Sequence, residues 1–210
     1  MHSTRLRVAA LAAALLATLA PSARAEETAT KTVERLNAAI AEMLPKAAEL
    51  GYAGRFERLK PVMEQAFDFD FMAEKSLGKH WKELDDAQKK EWAAAFREFA
   101  VANYAANLDR DGGQRFELVS ETPAEHDTIL VRGRVVDPAA EPFDLTYRLH
   151  PTAKGPRIID VQIRNTVSEL ALRRADFTSV IGRDGFGALL NTIRSRIADL
   201  AAGRAKRPAA

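Results

Sequence analysis

The sequence predicts an α+β fold: a small four-stranded antiparallel sheet wrapped by helices, with an apolar cavity between the layers. Three observations carry this. Apolar residues recur at helical spacing from Lys31 to about Leu108, the period falls to two between Arg115 and Ile163, and it returns to helical after Ser168. Helices, then a sheet, then helices is the order that gathers helices on one face of an antiparallel sheet.

In the first helical stretch, Val33, Leu36, Ile40, Met43, Leu44 and Ala47 form one apolar stripe, and Pro45 kinks or ends it. Gly51 and Gly54 mark a turn, and a second helix is expected from about Arg55 to Ala66. Phe71–Leu77 reads as shorter turns interrupted by Gly78. The clearest helix starts near Asp85, because Asp85 and Gln88 stand three apart as a capping box requires. Trp92, Phe96, Phe99 and the run from Val101 to Leu108 give it a broad apolar face, and Asp111-Gly112-Gly113 is expected to end it.

Strands are expected at Arg115–Ser120, Thr128–Val136, Phe143–His150 and Arg157–Ile163, with turn chemistry at Asp137-Pro138 and Lys154-Gly155-Pro156. In the third, Phe143, Leu145, Tyr147 and Leu149 share one face, while Asp144, Thr146, Arg148 and His150 share the other. Ser168 reads as a helix N-cap with Glu169 in the first turn. Phe177, Val180 and Ile181 then belong to one helix, and Phe186, Leu189, Leu190, Ile193 and Ile197 to another, separated by Gly185.

Residues 1–25 read as a cleaved secretory signal. Arg5 and Arg7 precede an apolar run from Val8 to Ala20, Pro21 breaks it, and Ala23-Arg24-Ala25 supplies small residues where a signal peptidase reads. That run is shorter than the roughly 20 residues a permanent span needs. The expected organisation is a signal at 1–25, one domain at 26–202 and a disordered basic tail at 203–210. The whole chain has 31 Lys+Arg and 29 Asp+Glu; removing Arg5, Arg7 and Arg24, with no acid among the first 25 residues, leaves 28 against 29. The apparent basicity therefore argues little for nucleic-acid binding. There is no cysteine, so neither disulfides nor thiolate metal sites are available, and a lipobox is absent.

Reactive constellations are sparse. His80, His126 and His150 show no two-histidine spacing for a metal, and Ser168 lacks a nucleophile-elbow context. In Phe67-Asp68-Phe69-Asp70-Phe71, alternation places the phenylalanines inward and the aspartates outward, where one caps the following helix. The reactive alternative is a cone-shaped α+β enzyme with an Asp–His dyad, Asp70 with His80 or His150, and a tyrosine donor at Tyr104 or Tyr147. A third reading is an interaction or chaperone-like domain with an ordinary filled core. The stripe Val131, Val135, Phe143, Tyr147, Leu149, Val161 and Ile163 suits a core at least as well as a pocket.

Several segments together resemble one family. Phe69-Asp70-Phe71-Met72-Ala73, Leu77-Gly78-Lys79-His80-Trp81, the run Asp86 to Trp92, Tyr147-Arg148-Leu149, Ile159-Asp160-Val161, Val167-Ser168 and Phe177 before Gly185 resemble, in that order, the toluene-tolerance/MlaC family of periplasmic lipid-binding proteins. The family usually has a tryptophan or similar residue at Arg157 or Ile158, and Gly-Val-Ser at Thr166-Val167-Ser168. The run from Ser168 to Arg174 looks more like the hopanoid-associated branch, HpnM. The resemblance implies a periplasmic lipid carrier, not an enzyme, with no cofactor or metal. Its implied partners are a phospholipid or hopanoid, an inner-membrane ABC transporter complex and an outer-membrane complex. Lipid-binding candidates on that basis are the stripe above with Phe96, Phe99, Tyr104, Phe177, Ile181 and Phe186 facing it. The strand alternation sets Arg132, Arg134 and Arg148 on the opposite face, towards solvent or a partner.

A carrier of this kind needs depth. Two tails hold roughly 30 methylenes worth about 0.8 kcal/mol each when buried, whereas a shallow patch covering about ten returns only about 8 kcal/mol.

Overall fold

The computed structural model describes residues 28–164 and 168–204. The expected signal, the Thr166-Val167 departure and most of the basic tail lie outside them. Five helices and four strands follow in the order α1 (Ala29–Met43), α2 (Ala47–Ala66), α3 (Phe69–Leu77), α4 (Asp86–Asn107), β1 (Arg115–Ala124), β2 (Thr128–Asp137), β3 (Ala140–His150), β4 (Arg157–Ile163) and α5 (Glu169–Ala201). The strands form one antiparallel sheet in sequence order. This is an α+β fold, as the change of period requires.

Local chemistry explains most of the element ends. Pro45 sits in a 3-10 turn between α1 and α2. The Asp85 carboxylate accepts the Gln88 amide at 2.8 Å and the Gln88 side chain accepts the Asp85 amide at 3.0 Å, completing the box that starts α4. Ser168 Oγ accepts the Ala171 amide at 2.9 Å at the start of α5. In the three-residue loop of the β1–β2 hairpin, Glu125 to Asp127, His126 and Asp127 both stand at positive φ.

Several boundaries differ from the sequence reading, β1 running on to Ala124 and β3 starting at Ala140 among them. Phe69–Leu77 is a helix rather than turns: Asp68 accepts the Phe71 amide at 3.0 Å and caps it, and Gly78 ends it at positive φ. The second helix begins at Ala47, with the break expected at Gly51 lying inside it. α4 ends at Asn107, before the Asp111-Gly112-Gly113 run. α5 breaks at Gly185 (φ 81°, ψ 174°), as anticipated, and its two arms fold back on each other, since Arg196 lies 3.7 Å from Asp176. A side chain at that φ would strain the backbone, so glycine is the residue that lets the chain reverse there.

β1 carries a bulge between Leu118 and Ser120. It swings Val119 outward, to 65% exposure, and reverses the alternation beyond it. Leu118 faces inward opposite Gly133, and so does Glu121 opposite Val131. From there the Glu121 carboxylate accepts the Thr30 amide at 2.8 Å in the first turn of α1, beside the Thr28 cap. Thr32 adds a bond to the Pro156 carbonyl at 3.1 Å. α1 is thereby fixed to the sheet at its N-terminal end.

Candidate functional site

The inner sheet face divides into two zones. Register places Ile129, Leu149 and Ile158 in one cross-strand row, and Val131, Tyr147 and Val161 in the next. Leu149 and Ile158 are fully buried, and Val131, Tyr147 and Val161 nearly so, within the contiguous core that the helices share. Tyr147 donates to Asn37 Oδ1 on α1 at 2.9 Å. Burial, then the nearby Tyr104 ring hydroxyl, holds the Tyr147 phenol well above its usual range.

The next rows are less fully covered, although Gly133 and Val135 within them are buried; they form the open zone of the face. Leu118, Gly133, Leu145 and Ile163 stand opposite one another across all four strands, followed by Phe116, Val135 and Phe143. Here Leu118, Leu145, Phe116 and Phe143 are only half-buried, and Ile163 is 39% exposed. Arg164 lies over the Phe143 ring, 5.2 Å from its centroid and within cation–π reach. Gly133 is the tight point of the row. A Cβ there would stand 2.9 Å from the Glu117 carbonyl oxygen, so only glycine fits without a shift.

The helix side is an aromatic cluster. Phe177 meets Trp92, Phe96 and Phe99 edge-on, with centroids 5.1, 6.4 and 6.2 Å away. Trp92 is anchored by its Nε1, which donates to the Ala73 carbonyl at 3.1 Å. Ile181 is buried and Phe186 half-buried beside this cluster. Tyr104 packs edge-on to Phe67 at 6.0 Å, and burial followed by the Glu169 carboxylate raises its phenol above the usual value.

Phe99 also reaches the wall of a cavity of about 560 Å³ between α2, α4 and both arms of α5. Arg55, Arg173 and Arg196 line it with one carboxylate, Asp109. Arg55 is buried and donates to the carbonyls of Ala105 and Ala47, both at 2.7 Å. It closes the end of α4 and ties it to α2. A second cavity, about 450 Å³, borders Asp68, Asp70, Arg97 and Lys154.

The structure thus brings Val131, Tyr147, Leu149 and Val161 together in the covered zone, Val135, Phe143 and Ile163 in the open zone, and Phe96, Phe99 and Phe177 in the helical cluster. Arg132, Arg134 and Arg148 lie on the opposite face, with Arg134 bonded to Asp144 at 3.2 Å. The dyad read from sequence is not formed. His150 pairs at 2.9 Å with Asp68, the α3 cap, while Asp70 pairs with Arg97 and His80 with Glu83. Sequence reasoning missed Gly133, Leu118 and Phe116 on the sheet and Arg173 and Arg196 on α5. Among the described residues no group of three or more His, Asp or Glu is placed to hold a metal ion, and no helix is long and apolar enough to cross a membrane.

The fold is thus a four-stranded antiparallel sheet whose inner face is covered by helices over one part and only half-covered over the other. The MlaC protein family matches residues 31–195, and the chain belongs to that family. Among solved structures, it is similar to a phospholipid-binding protein from Ralstonia solanacearum determined in complex with a phospholipid. The TM-score is 0.70 at 22% identity, over 84% of this chain and 99% of the other.

Proposed function

We propose that this protein is a periplasmic lipid carrier, exported through a signal at residues 1–25, that binds the apolar tails of a phospholipid or hopanoid. It carries them between envelope membranes with an inner-membrane ABC transporter complex and an outer-membrane complex. The observation that carries the proposal is the partly exposed zone of the sheet: Leu118, Phe143, Leu145 and Ile163 present apolar surface there, in a chain of the MlaC family. The phospholipid in the similar Ralstonia protein supports the ligand class.

Tails begin at the open zone and extend towards the covered one. Because Leu149, Ile158 and Trp92 already fill that interior, full loading requires the helical layer to part from the sheet. The energy is available, since each methylene taken from water is worth about 0.8 kcal/mol.

Native mass spectrometry of the mature protein from its own periplasm, followed by solvent extraction and lipid analysis, tests this. Stoichiometric phospholipid or hopanoid is the expected result and identifies the cargo. A clean apo mass that persists after incubation with envelope lipids refutes the carrier.

A further inference from the structure

Resting on the lipid-carrier reading, we infer that the cavity between α2, α4 and the two arms of α5 is the seat of the lipid's phosphate group, held by Arg173 and Arg196. Three arginines and one aspartate line it, so its wall is mainly cationic, with Glu169 and Asp176 standing behind two of the arginines. Arg55 is committed to two helix carbonyls. The other two are not committed in that way. Arg173 approaches Glu169 only to 3.7 Å and Arg196 approaches Asp176 only to 3.7 Å, beyond hydrogen-bond distance. Among the described residues neither guanidinium has a hydrogen-bonded protein partner. Each keeps its planar fork of donors available, and that fork matches two oxygens of a phosphate.

The surroundings favour a phosphate that carries an apolar body. Arg173 lies over the Phe99 ring at 5.1 Å, and that ring continues into the Phe177 cluster. Tyr52 and Leu200 add apolar wall. The site also adjoins the open zone through the first turns of α5. Ser168 pairs with Gln162, the neighbour of Ile163, and Arg173 stands five residues further on, at the cavity. A lipid straddling these turns would lay its tails on the sheet and its phosphate between the two arms of α5. Asp109 in the same wall disfavours a multiply charged anion, so a singly charged phosphodiester fits best.

The test is competitive loading from vesicles holding equal phosphatidylglycerol and diacylglycerol of the same tails, with the bound ratio read by native mass spectrometry. Wild type should favour the phospholipid by about tenfold, the worth of one charge-assisted hydrogen bond. Arg173→Gln/Arg196→Gln should bring the ratio to about one, and Arg173→Lys/Arg196→Lys should recover part of it because the charges remain. An equal preference in wild type and the Gln pair, with far-ultraviolet circular dichroism unchanged, overturns the assignment and leaves the carrier reading standing. Neither lipid on wild type would instead overturn the carrier reading itself. Thermal protection by inorganic phosphate alone, present in wild type and lost in the Gln pair, would assign the cavity to a free anion and overturn the headgroup role.

Discussion

Tyr147, Leu149 and Ile158 on one side and Phe143, Leu145 and Ile163 on the other belong to the same strands and the same face, yet their surroundings differ. The first group is sealed against α1 and the core, with Leu149 and Ile158 at 0% exposure; the second ends at Ile163, 39% exposed. Strand chemistry does not make the difference, because both zones alternate alike. Coverage does. The helices seal one half of the face, while in the other half Phe116, Leu118 and Leu145 pack against the rim of the core and stay only half-buried. The comparison teaches that an apolar stripe becomes core or binding surface according to what lies over it.

The largest effect should come from the sealed zone. Leu149→Ala should cost about 3 kcal/mol of stability, the usual range for emptying a fully buried leucine site, measured by urea unfolding. Gly133→Val, at the border, should cost about 2 kcal/mol, because the new Cβ meets the Glu117 carbonyl at 2.9 Å. The same variant should load less lipid, since its side chain displaces Leu118 from the apolar row. Tyr147→Phe should cost about 1 kcal/mol by leaving Asn37 Oδ1 without its donor, with lipid loading retained.

In the open zone the balance reverses. Leu145→Ala should lower stability by less than about 1 kcal/mol, since the site is already partly wet, while cutting lipid loading in the mass-spectrometric assay. If Leu145→Ala and Leu149→Ala cost the same stability, the two zones are one core and the comparison fails.

The smallest effect is confined to alkali. Tyr104 and Tyr147 both ionise above the usual value near 10 in the folded protein, chiefly because burial disfavours the phenolate. The stability this represents is complete below the unfolded-state value. It is lost as pH rises above 10, where the unfolded chain gives up those protons more readily. Thermal unfolding between pH 9 and about 11 should therefore show a falling midpoint, with a shallower fall in Tyr147→Phe.

Much of the fold was legible in the sequence because its signals are local. The Asp85–Gln88 box, the Ser168 cap, the break at Gly185 and the bounds of β4 each depend on neighbours a few residues apart. α3 was not legible. Its nine residues open with Phe-Asp-Phe, which alternates like a strand, and the capping bond from Asp68 decides otherwise. The site was half legible. Alternation assigned the inner stripe correctly to one face but could not say where the helices stop covering it. The bulge after Leu118 cannot be seen in composition, and it alone turns Glu121 inward. Arg173 and Arg196 come together only because α5 doubles back, bringing positions 23 residues apart to one cavity.

The Glu121 contact also bears on the order in which the molecule is completed. Its carboxylate and Thr30 are separated by 91 residues. The first helix to leave the ribosome therefore cannot acquire that bond until β1 has been made and its bulge set. Before that α1 can already pack its stripe of Val33, Leu36 and Ile40 on α2, its neighbour in sequence, whereas the bond to the sheet waits for a partner far along the chain. The N-terminal helix is thus joined to the sheet by a contact that closes a long loop, and long loops are slow to close.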